Sequence, residues 1–392
     1  MTARRIALRE VVEAKTGTMN PSAWPDDPIT YVDVTAIDNE VKAITAARTM
    51  RGAEAPGRAR RLLRTGDVLV STVRPNLNAV ALVPDSLDGE VASTAFCVLR
   101  ATPRVLPEYL YFFVQSASFT RSLERLAKGA LYPAVSEQCV LDQTMPLPPL
   151  ETQRRIVDML LCAQRALRLR REIRERTLRL LPALYADSFG DSVANPKNWP
   201  VVPLETLLKT PPQNGLYKHK SAYGDGTPIV RIDSFREGDL CEPGSLKRLR
   251  LDENEARRYT LAGGDILVNR VNSAEHLGKS VMIRTLPEPT VFESNMMRLV
   301  VDPERAFAQY VFSALQTTRT RQHFQLNARR AVNQASLNQT DLRSVPIMLP
   351  PLEKQAPFAR HADFTASARG IEAQMISSAE ATLASLLARI FG

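Results

Sequence analysis

The sequence predicts an α+β fold made by internal duplication. Two mixed α/β domains are each followed by a long α-helix, and the two helices pair as an antiparallel coiled coil. Three observations carry this expectation. First, the junction "MPLPPLETQRRI" at 145–156 returns as "IMLPPLEKQAPF" at 347–358, a step of 202 in a chain of 392 residues. Second, "TGDVLV" at 65–70 returns as "GGDILV" at 263–268, and "YVDV" at 31–34 faces "IVRI" at 229–232, both at a step of 198. Third, the stretch after each proline pair carries apolar residues three and four apart, the spacing of a helical seam. Repeats this long mean duplicated domains and not a short-period solenoid.

The elements follow in order. "DVLVSTV" and "DILVNRV" are apolar runs entered by a Gly-Asp turn, which marks buried strands, and "AVALVPD" and "SVMIRTLP" continue each sheet. "PEYLYFFVQSASFTRSLERLA" has helical spacing, with Tyr109, Phe112 and Phe113 as anchors, and "RAFAQYVFSAL" at 305–315 is its counterpart. Residues 1–146 and 193–348 are therefore expected to be the mixed domains, and 147–192 and 349–392 the helical segments. A proline in the first turn has no N–H to lose and a φ that suits a helix start, and Glu151 favours the helix dipole there. The first seam reads Ile156, Leu160, Ala163, Leu167, Ile173, Thr177, Leu181, Leu184; the second reads Phe364, Ala368, Ile371, Met375, Leu383, Leu387, Ile390. Pro182 is expected to kink or end the first helix, Pro357 to disturb the opening turns of the second, and Gly370 to weaken its middle. A helix of about 30–35 residues spans roughly 45–50 Å, the length of a rod and not of a small globule.

Composition narrows the function. The apolar fraction of 44% is that of a globular protein, and the net charge of +9 favours acidic partners, nucleic acid ahead of a membrane surface. Cys97, Cys139, Cys162 and Cys241 form no C-x-x-C pair and fit a reduced, cytoplasmic chain. The start "MTARRIALRE" lacks the apolar stretch of a signal peptide.

Catalytic motifs fail when tested. "GKS" at 278–280 has Ser273 where a phosphate loop needs glycine. "TPPQ" at 210–213 lacks the flanking residues of a methyltransferase loop, and no G-x-G-x-x-G occurs. The four histidines show no metal-binding spacing. Pro25-Asp26 followed by Glu40-Val41-Lys42 has the outline of a PD-ExK nuclease, with no counterpart in the second copy. A nuclease stays as an alternative, as does an adaptor in another DNA-defence complex.

Binding remains. Basic, polar, loop-like segments recur at matching places in both copies. In the first they carry Arg58, Arg74, Asn76, Asn78, Lys128 and Tyr132. In the second they carry Tyr217, Lys218, Lys220, Arg270, Asn272, Ser273, Lys279, Arg329, Arg330, Asn333 and Gln334. Arginine and lysine suit phosphates; asparagine, glutamine and arginine suit base edges. Arg74-Pro75-Asn76 is aligned with Arg270-Val271-Asn272, each just past its Gly-Asp strand. The first helix is also basic, with nine arginines between 154 and 179.

The ordered set of "GDVLV" and "GDILV", "MPLPPLETQRRIV" at 145–157, "NQASLNQTDLRSVPIMLPPLEKQ" at 333–355 and the two helices resembles the DNA specificity subunits of type I restriction-modification systems over nearly the whole chain. The resemblance implies two target recognition domains, each reading half of a bipartite, asymmetric site in double-stranded DNA. It implies spacer helices that set the gap, packed through Ile156, Leu160, Leu167, Ile173, Phe364, Ile371, Met375 and Leu387. Two methyltransferase subunits would bring S-adenosylmethionine, and restriction subunits would bring ATP and Mg²⁺. The specificity subunit itself would catalyse nothing. The sequence departs from the pattern at "KQAPFARHADF" and at "YPAVSEQCVL" (132–141), where the second copy has "NQASLNQTDL".

Overall fold

In a computed structural model, described for residues 4–129, 133–241, 243–273, 276–331 and 334–392, with only the backbone of 243, 330 and 331, the chain forms two compact units. Residues 1–172 with 374–392 make the first and 173–373 the second.

In the first unit, Phe96–Leu99, Val68–Ser71 and Val80–Leu82 form an antiparallel sheet in that order. A second sheet runs Arg48–Arg51, Pro28–Val32, Val91–Ser93, Ala59–Leu62, with Pro28–Val32 parallel to Val91–Ser93. Helices Pro107–Val114 and Ala117–Leu126 cover the first sheet, and Arg5–Ala7 pairs with Thr144–Pro146 to close the unit. The second unit repeats the plan. Gln213–Asn214, Met296–Leu299, Ile266–Asn269 and Ser280–Met282 form one sheet; Lys247–Leu249, Tyr223–Val230 and Val291–Phe292 form the other. Helices Ala308–Ala314 and Thr318–Asn327 correspond to the first pair, and Val201–Pro203 with Pro346–Met348 to the closing strands.

The Gly-Asp signature is a built corner. Gly66 and Gly264 sit at φ 81° and 92°, a left-handed conformation that favours glycine. Asp67 and Asp265 then accept the amides of Arg64 and Ala262, at 2.8 and 2.9 Å. Arg100 meets the buried Asp67 with two nitrogens at 2.7–2.8 Å, and Arg298 stands 3.7 Å from Asp265. An arginine fork on a carboxylate satisfies a charge that burial would otherwise penalise.

The proline junction has an equally local cause. In the first unit the Gln153 carbonyl oxygen accepts the Leu106 amide at 2.9 Å, and its amide donates to Pro148 at 2.9 Å and Arg104 at 3.2 Å. In the second, Gln355 accepts from Phe307 at 3.0 Å and donates to Pro350 at 2.7 Å. Tyr109 and Tyr310 donate to the carbonyls of Pro146 and Met348, at 3.0 and 2.6 Å. The Leu-Glu-x-Gln motif thus fastens the start of each long helix to its own domain.

The long helices are Leu150–Phe189 and Leu352–Phe391, and they pack together. Within the first unit, Val157 and Leu160 share a core with Leu387 and Phe391; within the second, Leu181, Tyr185 and Phe189 share one with Phe358 and Ala362. The beginning of each helix therefore meets the end of the other, an antiparallel pair. Pro182 does not end the first helix, and Pro357 and Gly370 leave the second continuous. Both prolines face outward, while Tyr185 and Phe189 form edge contacts with Phe358 at 5.7 and 5.2 Å. Burial of those rings offsets the ~3 kcal/mol a mid-helix proline costs.

The seam itself differs from the expected one. It follows Gln153, Val157, Leu160, Gln164, Leu167, Arg171, Arg174, Leu178, Leu181, Tyr185, Phe189, a strict alternation of four and three until the last turn. Leu160, Leu167 and Leu387 are buried and Ile156 is half-buried, as read. Ile173 is 43% exposed, Ile371 55% and Phe364 74%, and Met375 is exposed as well. The middle of the pair is joined by polar groups instead, Arg171 to Glu380 at 2.7 Å in the first unit and Thr177 to Glu372 at 2.8 Å in the second, where Arg369 also reaches Asp239 of the mixed domain at 2.8 Å.

Candidate nucleic-acid interface

In each unit the strand that leaves the Gly-Asp corner ends where several segments converge. In the first, the Thr72 amide donates to Ala95 at 2.8 Å, Val135 donates to Thr72 at 2.9 Å, Arg74 donates to Pro133 at 2.7 Å, and Thr94 donates to Arg58 at 2.8 Å. Lys128 and Ala134 pair through both their amides. In the second, Arg270 donates to Asn295 at 2.9 Å and Leu337 to Arg270 at 2.8 Å. Val271–Asn272 pairs with Ala335–Ser336, and Arg329–Ala331 folds back on Gln334–Ser336 as a hairpin. Segments more than 50 residues apart, singled out separately from sequence, thus become one surface in each unit.

These hydrogen bonds also reset the alignment of the two copies. Thr72 and Arg270 make the same pair of backbone bonds, so Arg74 corresponds to Asn272 and not to Arg270. Arg270 has no cationic counterpart in the first unit. The sequence alignment slipped by two because both copies place an arginine close behind the strand.

The expected residues divide by where they point. Arg58, Arg74, Asn76 and Lys128 are exposed, with Arg74 at φ 51° opening the turn Pro75–Leu77. Asn78 turns inward: at φ 46° its amide donates to Val114 and Thr120, both at 2.8 Å. In the second unit Tyr217 is 79% exposed, and Lys220, Arg329 and Gln334 are exposed too. Lys218 is paired with Glu255 at 2.7 Å. Arg270 is half-buried and reaches the Ser294 carbonyl at 3.3 Å, and Asn272 accepts the Ser273 amide at 2.8 Å. Lys279 turns inward to the Phe235 carbonyl at 2.8 Å, over that ring at 4.9 Å. Tyr132 and Asn333 lie outside the described residues, as does the Arg330 side chain. Lys42, read as the lysine of a nuclease outline, has its ammonium on the Asn78 carbonyl at 2.7 Å.

The segments Ser93–Ala95 and Glu293–Asn295 belong to this surface and carried no sequence signal, because each reads as a short turn between strands. Leu216 and Ser294 exchange backbone contact through the Ser294 amide at 2.9 Å, which brings Tyr217 to the same region. Burial raises the Glu293 carboxyl above its usual range, against the Ile232 amide at 2.7 Å and Arg231 at 3.6 Å.

Comparison with known proteins gives this geometry a family. Residues 196–361 match the family model of the type I restriction modification DNA specificity domain. The StySPI specificity subunit of Salmonella potsdam is 25% identical over 319 residues, 77% of this chain and 68% of that protein. A solved chain reported for complex assembly and conformational transition of the type I restriction-modification system is 27% identical, with a TM-score of 0.57, covering 99% of this chain and 97% of that one. The second unit matches the specificity-domain model, and the chain as a whole is similar to type I specificity subunits.

A protein provisionally named as the MjaX specificity subunit of Methanocaldococcus jannaschii is 32% identical over 167 residues. That match spans 42% of this chain and only 39% of the relative's length. The family model falls inside the second unit, and the first repeats the same order of helices and closing pair. Among the described residues, no helix is long and apolar enough to cross a membrane.

Proposed function

We propose that the chain reads both halves of a bipartite, asymmetric DNA site, one half with each unit, and performs no chemistry itself. One observation carries this reading. The two units present the same converging segments on the same scaffold, with different side chains at matching positions: Thr72 against Arg270, Arg74 against Asn272, Ala95 against Asn295. Identical readers would select a palindrome; these would select two unlike half-sites. Exposed arginines and lysines take phosphates, while Asn76, Asn272 and Gln334 have the donors and acceptors that read base edges.

Residues 1–146 and 193–348 act in this reading as target recognition domains, and 147–192 and 349–392 as the spacer. Two methyltransferase subunits, carrying S-adenosylmethionine, dock on the spacer helices; restriction subunits, where present, supply ATP-driven cleavage. The apolar side chains left outside the seam, Phe364, Ile371 and Met375 among them, suit such a partner. A single-molecule methylome of the host with and without the gene tests the proposal. Loss of one bipartite, asymmetric methylated motif is the expected result. An unchanged methylome beside an active methyltransferase would leave the adaptor alternative.

A further inference from the structure

The second unit carries a half-open cavity of about 660 Å³ between the segments that converge on its surface and its part of the long helices. Leu181, Phe312 and Phe324 supply apolar walls, and Arg321 and Ser280 supply polar ones. Ser280 is 4% exposed, and its hydroxyl has no hydrogen-bond partner among the described residues. Arg321 is exposed and makes no side-chain hydrogen bond or ion pair among them.

The twin unit carries different side chains at the corresponding positions. Ser71 donates to Ala79 at 2.9 Å as Asn269 does to Lys279 at 2.8 Å, so Asn78 matches Gly278 and Val80 matches Ser280. The Tyr109 and Tyr310 hydroxyl bonds match Tyr111 with Phe312 and Thr120 with Arg321. In the first unit these residues are linked, one pair through side chains and two through backbone carbonyls. The Asn78 amide holds Thr120 at 2.8 Å, the Tyr111 hydroxyl donates to the Lys42 carbonyl at 3.0 Å, and the Lys42 ammonium holds the Asn78 carbonyl. In the second unit each partner is gone. Asparagine has become Gly278, whose place is taken by the Phe324 ring, tyrosine has become Phe312 and threonine Arg321, and the hairpin residue resting on Phe312 is Gly238, whose missing Cβ would lie 3.0 Å from that ring. A buried hydroxyl replaces Val80.

We propose that this cavity binds a mononucleotide, its base between the apolar walls and on the Ser280 hydroxyl, its phosphate on Arg321. The volume falls within the ~300–1,000 Å³ of small-molecule sites, and a guanidinium without a carboxylate partner suits a phosphate. The nucleotide is either free or turned out of bound DNA. The second source rests on the DNA-reading function above, the first does not.

The test uses the full chain, titrated by calorimetry with adenosine, guanosine, cytidine and thymidine monophosphates. At least one is expected to bind saturably. Ser280→Val and Arg321→Thr, the residues of the first unit, should each weaken it about tenfold with unchanged thermal melting. A duplex with 2-aminopurine placed through the methylated motif separates the sources: brightening with the native chain but not the variants indicates a nucleotide turned out of the DNA. Binding of a free monophosphate without brightening assigns a free nucleotide. Failure of all four monophosphates together with no brightening overturns the proposal, as does binding that both variants leave intact. Failure to bind any DNA would count against the reading function alone.

Discussion

Gln153 and Gln355 show how a motif can be legible before its role is. The repeated Leu-Glu-x-Gln stood out in the sequence, and the helix start it predicts is there, at Leu150 and Leu352. The glutamine's task was not legible, because its partners, Leu106 and Phe307, lie nearly 50 residues away. Gln355 is fully buried and bridges the Phe307 amide and the Pro350 carbonyl. Gln355→Ala should therefore cost about 1–3 kcal/mol for each orphaned group, read as a lower midpoint in urea unfolding. A change within 0.5 kcal/mol, roughly that of a surface substitution, would show that the clamp is dispensable. The Arg74 and Arg270 alignment failed at this same scale. Only the backbone bonds of Thr72 and Arg270 fix the register, and a slip of two keeps every side chain on its face and so leaves no mark in the pattern.

At the scale of elements, both long helices were legible and their faces only partly so. The bulky apolar residues Ile173, Phe364, Ile371 and Met375 fit a helical spacing but lie off the seam. The seam instead keeps a 3.5-residue repeat and carries small and polar residues, Ala362, Thr365, Arg369 and Glu372, through the middle of the second helix. Arg171, Arg369 and Thr177 find partners there, so the repeat survives where the apolar pattern lapses. Two substitutions separate the alternatives. Phe364→Glu should leave unfolding within about 0.5 kcal/mol of the native chain, since that ring is 74% exposed. Phe391→Ala should cost about 3–5 kcal/mol, since Phe391 is fully buried and meets Tyr109 and Phe113 at 5.2 and 5.7 Å. Equal costs would restore the expected seam. Loss of methyltransferase assembly by Phe364→Glu alone would place the partner on the outer face.

The whole molecule is a duplication in which the helix ends are exchanged. The helix that starts from the first domain ends in the core of the second unit, where Phe189 lies 4.9 Å from Tyr310; the helix that starts from the second ends in the core of the first, on Tyr109. Nothing in a linear sequence says which core a terminal phenylalanine fills. The exchange makes the first unit depend on residues more than 200 positions away. Removing residues 374–392 takes Leu387 and Phe391 from the first core and leaves Phe358 and Ala362 in the second. Limited proteolysis of the truncated chain should therefore digest residues 1–172 early while a fragment within 173–373 persists. The reverse order of cleavage would mean that each helix completes its own domain, and the antiparallel exchange would be wrong. Under the proposed DNA-reading function, the residues that complete each core would also set the gap between half-sites, because each core needs both helices.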